Sequence, residues 1–294
     1  MSILPHITKE HISRAAHKLA QLRPAYADML AFYEAVFICQ EEAKADIDLE
    51  PIRLAPDTVA ERRQNGTPLV EVSALAFDPA SAERLIEQLG GLAATHPTEM
   101  KAAAMALSRA VDGGDLDPQE LFLSLLRGDD AFFQDTAARI GSEPRTMAFL
   151  AYNSMQPSIE MRATQLAAYL DPEAVWRKGH CPICGSAPGL AVLVEEGRRV
   201  LCCSFCRHQW QAPRIFCVFC GNTKTDELTY FFAEEEKDLR VDVCEHCRNY
   251  LKTVDRRNIG RPLFPPLEQV ASLHLDMIAV EKGYRRSTGA GIEV

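Results

Sequence analysis

Residues 201–210 read LCCSFCRHQW, with cysteines at 202, 203 and 206. A Cys-x-x-Cys turn aims two sulfurs at one point, as a tetrahedral metal site requires. Cys203 and Cys206 have that spacing, whereas Cys202 and Cys206 do not. Cys203 and Cys206 are therefore expected as a ligand pair, and Cys202 as a surplus thiol buried in a strand beside it. The reading requires partner pairs elsewhere in the chain.

The rest of the 294 residues supplies them. Cys39 stands alone, and the other nine cysteines lie between 181 and 247. Eight of the nine form Cys-x-x-Cys pairs at 181/184, 203/206, 217/220 and 244/247. Such pairing reads as metal or redox chemistry in a reducing compartment rather than as a disulfide framework. Taken in chain order, Cys181, Cys184, Cys203 and Cys206 make one tetrathiolate set, its two pairs 18 residues apart. Cys217, Cys220, Cys244 and Cys247 make a second, its pairs 23 residues apart.

Between the pairs of each set the sequence predicts a β-hairpin. LAVLVEEGRRVLCC turns at Glu196-Gly197, and LTYFFAEEEKDLRVDVC turns through an acidic run. This is the layout of a zinc-ribbon or rubredoxin-like module. The opposite grouping would join Cys203/Cys206 to Cys217/Cys220 across RHQWQAPRIF. Gly185 and Gly221 follow the second cysteine of their pairs, where a knuckle needs positive φ. His180, His208 and His246 flank ligand cysteines and are expected as exposed neighbours, since eight thiols already complete both sets.

Four thiolates leave no open coordination position, which argues against metal-assisted hydrolysis and for a structural staple. Redox or sulfur-handling chemistry of the cysteines is the competing reading. Donor chemistry suits two metal ions, either zinc or a single iron per site, and spacing does not separate them.

Hydrophobic residues make up 47% of the chain and charged ones 25%, the mix of a globular protein. The formal net charge of −9 argues against a general nucleic-acid binder. Charge is uneven: residues 1–177 carry 16 Lys+Arg against 26 Asp+Glu, and residues 178–262 carry 13 against 11. The cysteine region thus has no basic stripe for a phosphate backbone. MSILPHITKEHISRAAHK has charges and histidines where a signal peptide has an apolar run. No stretch reaches the ~18 apolar residues of a membrane span. A cytoplasmic protein with neither membrane nor nucleic-acid partners is expected.

Residues 1–177 read as an all-α domain of five to eight helices. PQELFLSLLRGDDAFFQDTAARIG has helical spacing of Leu121, Phe122, Leu125, Phe132 and Phe133 between Pro118 and Gly141. DPASAERLIEQLGG opens on Asp78 and Pro79 and closes on paired glycines. PSIEMRATQLAAYL is expected to start a helix at Pro157, and Pro51–Pro68 to be a connector. His6, His11, His17 and His96 are scattered and read as surface or capping residues. After RPLFPP, EQVASLHLDMIAVEKGY predicts one amphipathic helix ending near Gly283. The expected class is α+β: a helical domain at 1–177, ribbons at 178–213 and 214–262, and a C-terminal helix and tail at 263–294.

Five segments together, CPICGSAP, RRVLCCSFCRHQW, CVFCG, VCEHCRNYLKTVD and ASLHLDMIAVEKGY, resemble the FdhE-type formate dehydrogenase accessory proteins. The resemblance is densest from 179 to 284 and extends more thinly to NGTPLVE in the first half. It implies a cytoplasmic maturation factor, not an enzyme, that acts on the formate dehydrogenase catalytic subunit before export. It favours rubredoxin-type iron over zinc on the eight paired cysteines, leaves Cys202 without a ligand role, and leaves a homodimer open. A nucleic-acid-associated zinc-ribbon protein is the alternative.

Overall fold

The structure, a computed structural model, describes residues 7–95, 98–233, 236 and 238–286. They form two compact units that interleave along the chain. One is all-helical and comprises Ala31–Ile52 and Glu71–Gln165. The other comprises, among the described residues, 7–30, Arg53–Val70 and 166–286, and holds every strand found among them.

Eight α-helices occur before the first strand among the described residues: α1 Lys9–Leu22, α2 Ala27–Ala43, α3 Pro56–Asn65, α4 Pro79–Ala93, α5 Thr98–Asp112, α6 Pro118–Arg127, α7 Asp130–Ile140 and α8 Pro144–Ala167. Their starts follow from capping. The Asp78 carboxylate accepts from the Ser81 N–H at 3.1 Å, and the Asp117 carboxylate from the Gln119 N–H at 2.9 Å. The helical unit buries Leu85, Leu89, Leu121, Phe122, Met147, Leu150 and Met155 almost completely. Phe77 and Phe122 meet edge to face at 5.5 Å.

Four expectations need correction here. The 118–141 segment is two helices, because Gly128 adopts φ 66° and ends α6. Helix α4 runs through its paired glycines to Ala93. Pro51–Pro68 contains helix α3 rather than only a connector. Pro157 lies inside α8 instead of starting a helix. Proline removes the N–H that would bond the Asn153 carbonyl, four residues back. The Gln40 amide takes that carbonyl at 2.9 Å and the Asn153 side-chain oxygen at 2.9 Å, so the freed acceptor is satisfied from a neighbouring helix.

The second unit is built on one six-stranded mixed sheet in the order β3-β2-β1-β6-β5-β4. Its strands are β1 Pro188–Leu193, β2 Arg199–Cys203, β3 Gln209–Ala212, β4 Leu228–Phe231, β5 Leu239–Cys244 and β6 Tyr250–Asp255. Each expected hairpin is present and gains a third strand that the sequence reading lacked. The turn at Glu196-Gly197 takes φ 58° and 73°. The acidic turn of the other hairpin falls partly outside the described residues, as do His6 and His96. The two three-stranded halves join through β1 and β6, which run parallel with Ala191, Val192 and Leu193 opposite Thr253, Val254 and Asp255.

Alternate residues face one core: Leu190, Val192 and Val194 of the β1 strand and its end, Val200 and Cys202, Leu239, Val241 and Val243, Tyr250 and Val254. Leu263, Leu275 and Ala279 complete it from the C-terminal segment. That segment is two short helices, α9 Pro265–Val270 and α10 Leu273–Glu281, not one. The break has a cause. The Ser272 hydroxyl donates to the Glu268 carbonyl at 2.6 Å, and buried Lys252 donates to the carbonyls of Gln269 and Ser272 at 3.0 and 3.3 Å. Nor is α10 amphipathic in the usual sense, because Leu273, Met277 and Val280 are exposed apolar residues. Gly283 ends the segment at φ 78°. No helix among the described residues is long and apolar enough to cross a membrane.

Candidate metal centres

All four Cys-x-x-Cys pairs sit on turns: Cys203 and Cys244 are the last residues of β2 and β5, and the 181/184 and 217/220 turns lie in the segments ahead of β1 and β4. Each is closed the same way. The amide of the first cysteine donates to the carbonyl five residues on: Cys181 to Ser186 at 2.8 Å, Cys203 to His208 at 2.9 Å, Cys217 to Asn222 at 2.8 Å and Cys244 to Asn249 at 3.0 Å. Closing that loop forces positive φ on the residue after the second cysteine. Gly185 and Gly221 take 80° and 76° there, and Arg207 and Arg248 take 58° and 59°. The glycines were legible in the sequence. The two arginines were not, since left-handed backbone disfavours a side chain and only the knuckle demands it.

The turns bring the cysteines together in two groups: Cys181, Cys184, Cys203 and Cys206, and Cys217, Cys220, Cys244 and Cys247. In each group the sulfurs lie within 4.8 Å of one another. In the first, Cys181–Cys206 is 3.7 Å, Cys184–Cys203 3.5 Å and Cys184–Cys206 3.5 Å. In the second, Cys217–Cys247 and Cys220–Cys244 are both 3.7 Å. Four sulfurs about 2.3 Å from a tetrahedral ion are about 3.8 Å apart, so the spacing fits one ion per group. It is far beyond the ~2.05 Å of a disulfide. Two ions could be held, and the donors suit zinc and iron alike.

Each group contains donors aimed at sulfur. The amides of Phe205 and Cys206 approach Cys203 Sγ at 3.4 Å, and that of Ile183 approaches Cys181 Sγ at 3.4 Å. Hydrogen bonding with Cys181, Cys203 and Cys206 holds the Cys184 thiol far below its usual range, while burial pushes Cys181 and Cys206 well up. In the second group burial raises Cys217. Burial opposes ionisation of Cys244 as well, but the Cys247 amide and the Asn222 side chain outweigh it and draw that thiol to about 7.

Cys202 joins neither group. It is buried on the opposite face of β2 from Cys203, in the apolar core, and burial pushes its thiol up to about 12. Cys39 is half-buried on α2. The three flanking histidines also stay outside both groups. His246 is exposed as expected. His180 and His208 are not free neighbours. The His180 ring bonds the Gly66 carbonyl at 3.2 Å, and His208 stacks on Trp210 at 6.4 Å with its pKa pulled down to about 4 by burial.

The surroundings of the two groups differ. All four cysteines of the first are buried, whereas in the second Cys220 is exposed and Cys247 half-buried. The first is covered by residues 66–70. The Leu69 and Val70 amides donate to the Pro182 and Ile183 carbonyls of the knuckle at 2.9 and 3.0 Å. A Cβ on Gly185 would meet the Pro68 ring at 3.2 Å. NGTPLVE, a motif without an evident role in the sequence, is thus a strap over the first cluster. Beside the second lies a cleft of about 220 Å³, with Cys217 and Cys244 in its wall.

Comparison with known proteins matches residues 180–214 to the central domain of FdhE and residues 215–291 to the FdhE C-terminal domain. A protein FdhE homolog of Aquifex aeolicus is 39% identical over 113 residues, 37% of this chain and 40% of that protein. One of Edwardsiella ictaluri is 26% identical over 97% of this chain and 89% of its own length. The crystal structure of the FdhE protein from Pseudomonas aeruginosa superposes with a TM-score of 0.69, covering 97% of this chain and 96% of that one at 22% identity, and so shares the fold. Residues 180–291 are thus similar, in order, to the two FdhE cysteine domains, and the fold of the Pseudomonas aeruginosa FdhE protein is shared along nearly the whole length.

Proposed function

We propose that this protein is a formate dehydrogenase accessory factor that binds the catalytic subunit in the cytoplasm before export and carries one metal ion on each cysteine cluster. The observation behind the reading is the pair of closed tetrathiolate clusters, Cys181/Cys184/Cys203/Cys206 and Cys217/Cys220/Cys244/Cys247, within an FdhE-type fold. Four protein donors at each cluster leave no position for a substrate, which favours a binding role over an enzymatic one. A bound ion supplies folding free energy to the sheet that the knuckles terminate, and as iron it would also supply a one-electron couple. The family resemblance favours iron, and the donor set accepts zinc equally.

The working division into a helical domain at 1–177, ribbons at 178–213 and 214–262 and a C-terminal segment from 263 follows the sequence. The boundary between the two matched family domains, at 214/215, lies one residue from the proposed border between the ribbons. Opposite charge excesses along the chain, −10 for residues 1–177 and +2 for 178–262, suit an oriented protein partner better than a polyanion. The test is co-purification of tagged protein with the formate dehydrogenase catalytic subunit, paired with enzyme activity in a deletion strain. Capture of that subunit and loss of activity on deletion are expected. A client that never co-purifies, with activity intact after deletion, overturns the reading.

A further inference from the structure

Of the two clusters, only the second has an exposed cysteine: Cys220 is exposed, while Cys181, Cys184, Cys203 and Cys206 are all buried. The first is closed further by the strap, which hydrogen-bonds the knuckle through Leu69 and Val70 and places the 2%-exposed Leu69 beside it. The second has a seat for an incoming group instead. Its cleft is walled by Ile215, Val218, Leu228 and Tyr230 with Cys217 and Cys244.

The cleft also carries three guanidinium groups, of Arg199, Arg214 and Arg240, against the single carboxylate of Asp242. That carboxylate is shared: Arg240 lies at 2.8 Å, Arg199 at 3.6 Å, and the Thr253 hydroxyl donates to it at 2.7 Å. Arg199 is only 6% exposed, and its Nε has no hydrogen-bond partner. Cations in a partly apolar cleft favour an anionic occupant, and a thiolate is the anion that is also a soft metal ligand.

Resting on the metal reading above, we propose that the second cluster is a ligand-exchange centre and the first a sealed staple. With an ion bound, a thiolate from a cysteine-bearing segment of a partner would enter the cleft as a donor and the exposed Cys220 would be released to solvent as thiolate, so that one metal–sulfur bond would form as one breaks, no electrons would change hands and the donor count would be preserved. At the first cluster the same exchange first requires the strap to open, and an opening that costs about 1.4 kcal/mol slows it about tenfold.

The experiment uses the purified, metal-loaded full chain. Metal content is measured first, then release to excess EDTA with and without dithiothreitol as the incoming thiol. Iodoacetamide labelling with peptide mass spectrometry assigns each phase. Two ions per chain are expected, leaving in two phases at least about tenfold apart. Dithiothreitol should accelerate only the fast phase, and Cys220 and Cys247 should be labelled before any cysteine of the first cluster. Leu69→Ala should speed the slow phase alone. Two ions lost in a single phase, or Cys181, Cys184, Cys203 or Cys206 labelled first, overturn the proposal and leave the metal reading standing. Fewer than two ions per chain overturns the metal reading and the proposal with it.

Discussion

The helical unit and the sheet unit solve the same folding problem with different means. The helical unit closes an apolar core of ordinary kind around Leu85, Leu89, Leu121, Phe122, Met147 and Leu150. The sheet unit has a core too, but its four knuckles bind their polar backbone around crowded thiols. Side-chain burial stabilises the first in the absence of any ligand. The second needs a cation to reconcile four sulfurs at van der Waals distance. The lesson is that one chain carries two kinds of stability, one of them conditional on metal supply.

The largest expected effect tests that difference. Removing both metals, or replacing Cys181 or Cys244 by serine, should cost the sheet unit on the order of 10 kcal/mol of binding-linked folding energy. Because β1 and β6 pair across the two halves, either substitution should loosen the whole sheet and not one ribbon. Hydrogen exchange should show β1–β6 amides losing protection while amides of α4, α6 and α8 keep theirs. Equal loss in the helices would mean that the units share one cooperative transition.

Leu121→Ala or Phe122→Ala probes the other side. Both residues are fully buried, so each should cost about 3–5 kcal/mol. Metal content should not change, since no ligand lies in that unit. Metal loss in these variants would break the distinction.

A smaller effect lies inside the sheet unit. Lys252 is 1% exposed, ion-paired with Asp276 at 2.6 Å, while the Tyr250 hydroxyl donates to the same carboxylate at 2.8 Å. This clasp pins the break between α9 and α10 to β6. Lys252→Met leaves the half-buried Asp276 without its cation and should cost about 2 kcal/mol, whereas adding Asp276→Leu should recover much of it. Burial draws the lysine from 10.5 down to about 8. A base depressed on folding binds its proton more tightly when unfolded, so its penalty is present below pH 8. The penalty is relieved as pH rises from about 8 to 10.5. Urea unfolding of wild type against Lys252→Met should therefore show a difference that grows with pH across that window. A flat difference would mean that the lysine does not titrate there.

The smallest effect compares the glycines of the two clusters. Gly221→Ala meets no atom within 4 Å and carries only the left-handed strain, about 1 kcal/mol. Gly185→Ala adds a contact with the Pro68 ring at 3.2 Å and should cost more, and it should speed metal loss from the first cluster by lifting the strap. Equal costs in thermal unfolding would show that the strap yields freely.

The clusters were legible because a Cys-x-x-Cys pair is local: Cys203 and Cys206 specify their own turn, and Gly185 and Gly221 mark where it must reverse. Pairing between the two halves was not legible, because a parallel β1–β6 contact joins residues some 60 positions apart with nothing at either end to announce it. Pro157 misled for a similar reason. A proline reads as a helix boundary, and the residue that overrides it, Gln40, lies 113 positions from the carbonyl it satisfies at Asn153. NGTPLVE was visible as a motif, yet its work over the first knuckle is tertiary. Arg207 and Arg248 hid a positive φ that only the repeated knuckle geometry exposes.

Both halves of the sheet unit end on the two tetrathiolate sites. X-ray absorption at the metal edge, with metal analysis of the protein as purified, measures them directly. Two ions per chain, each with four sulfur neighbours at about 2.3 Å and no nitrogen or oxygen in the first shell, is the predicted result. A single ion per chain, a mixed sulfur and nitrogen shell, or cysteines joined as disulfides would contradict it.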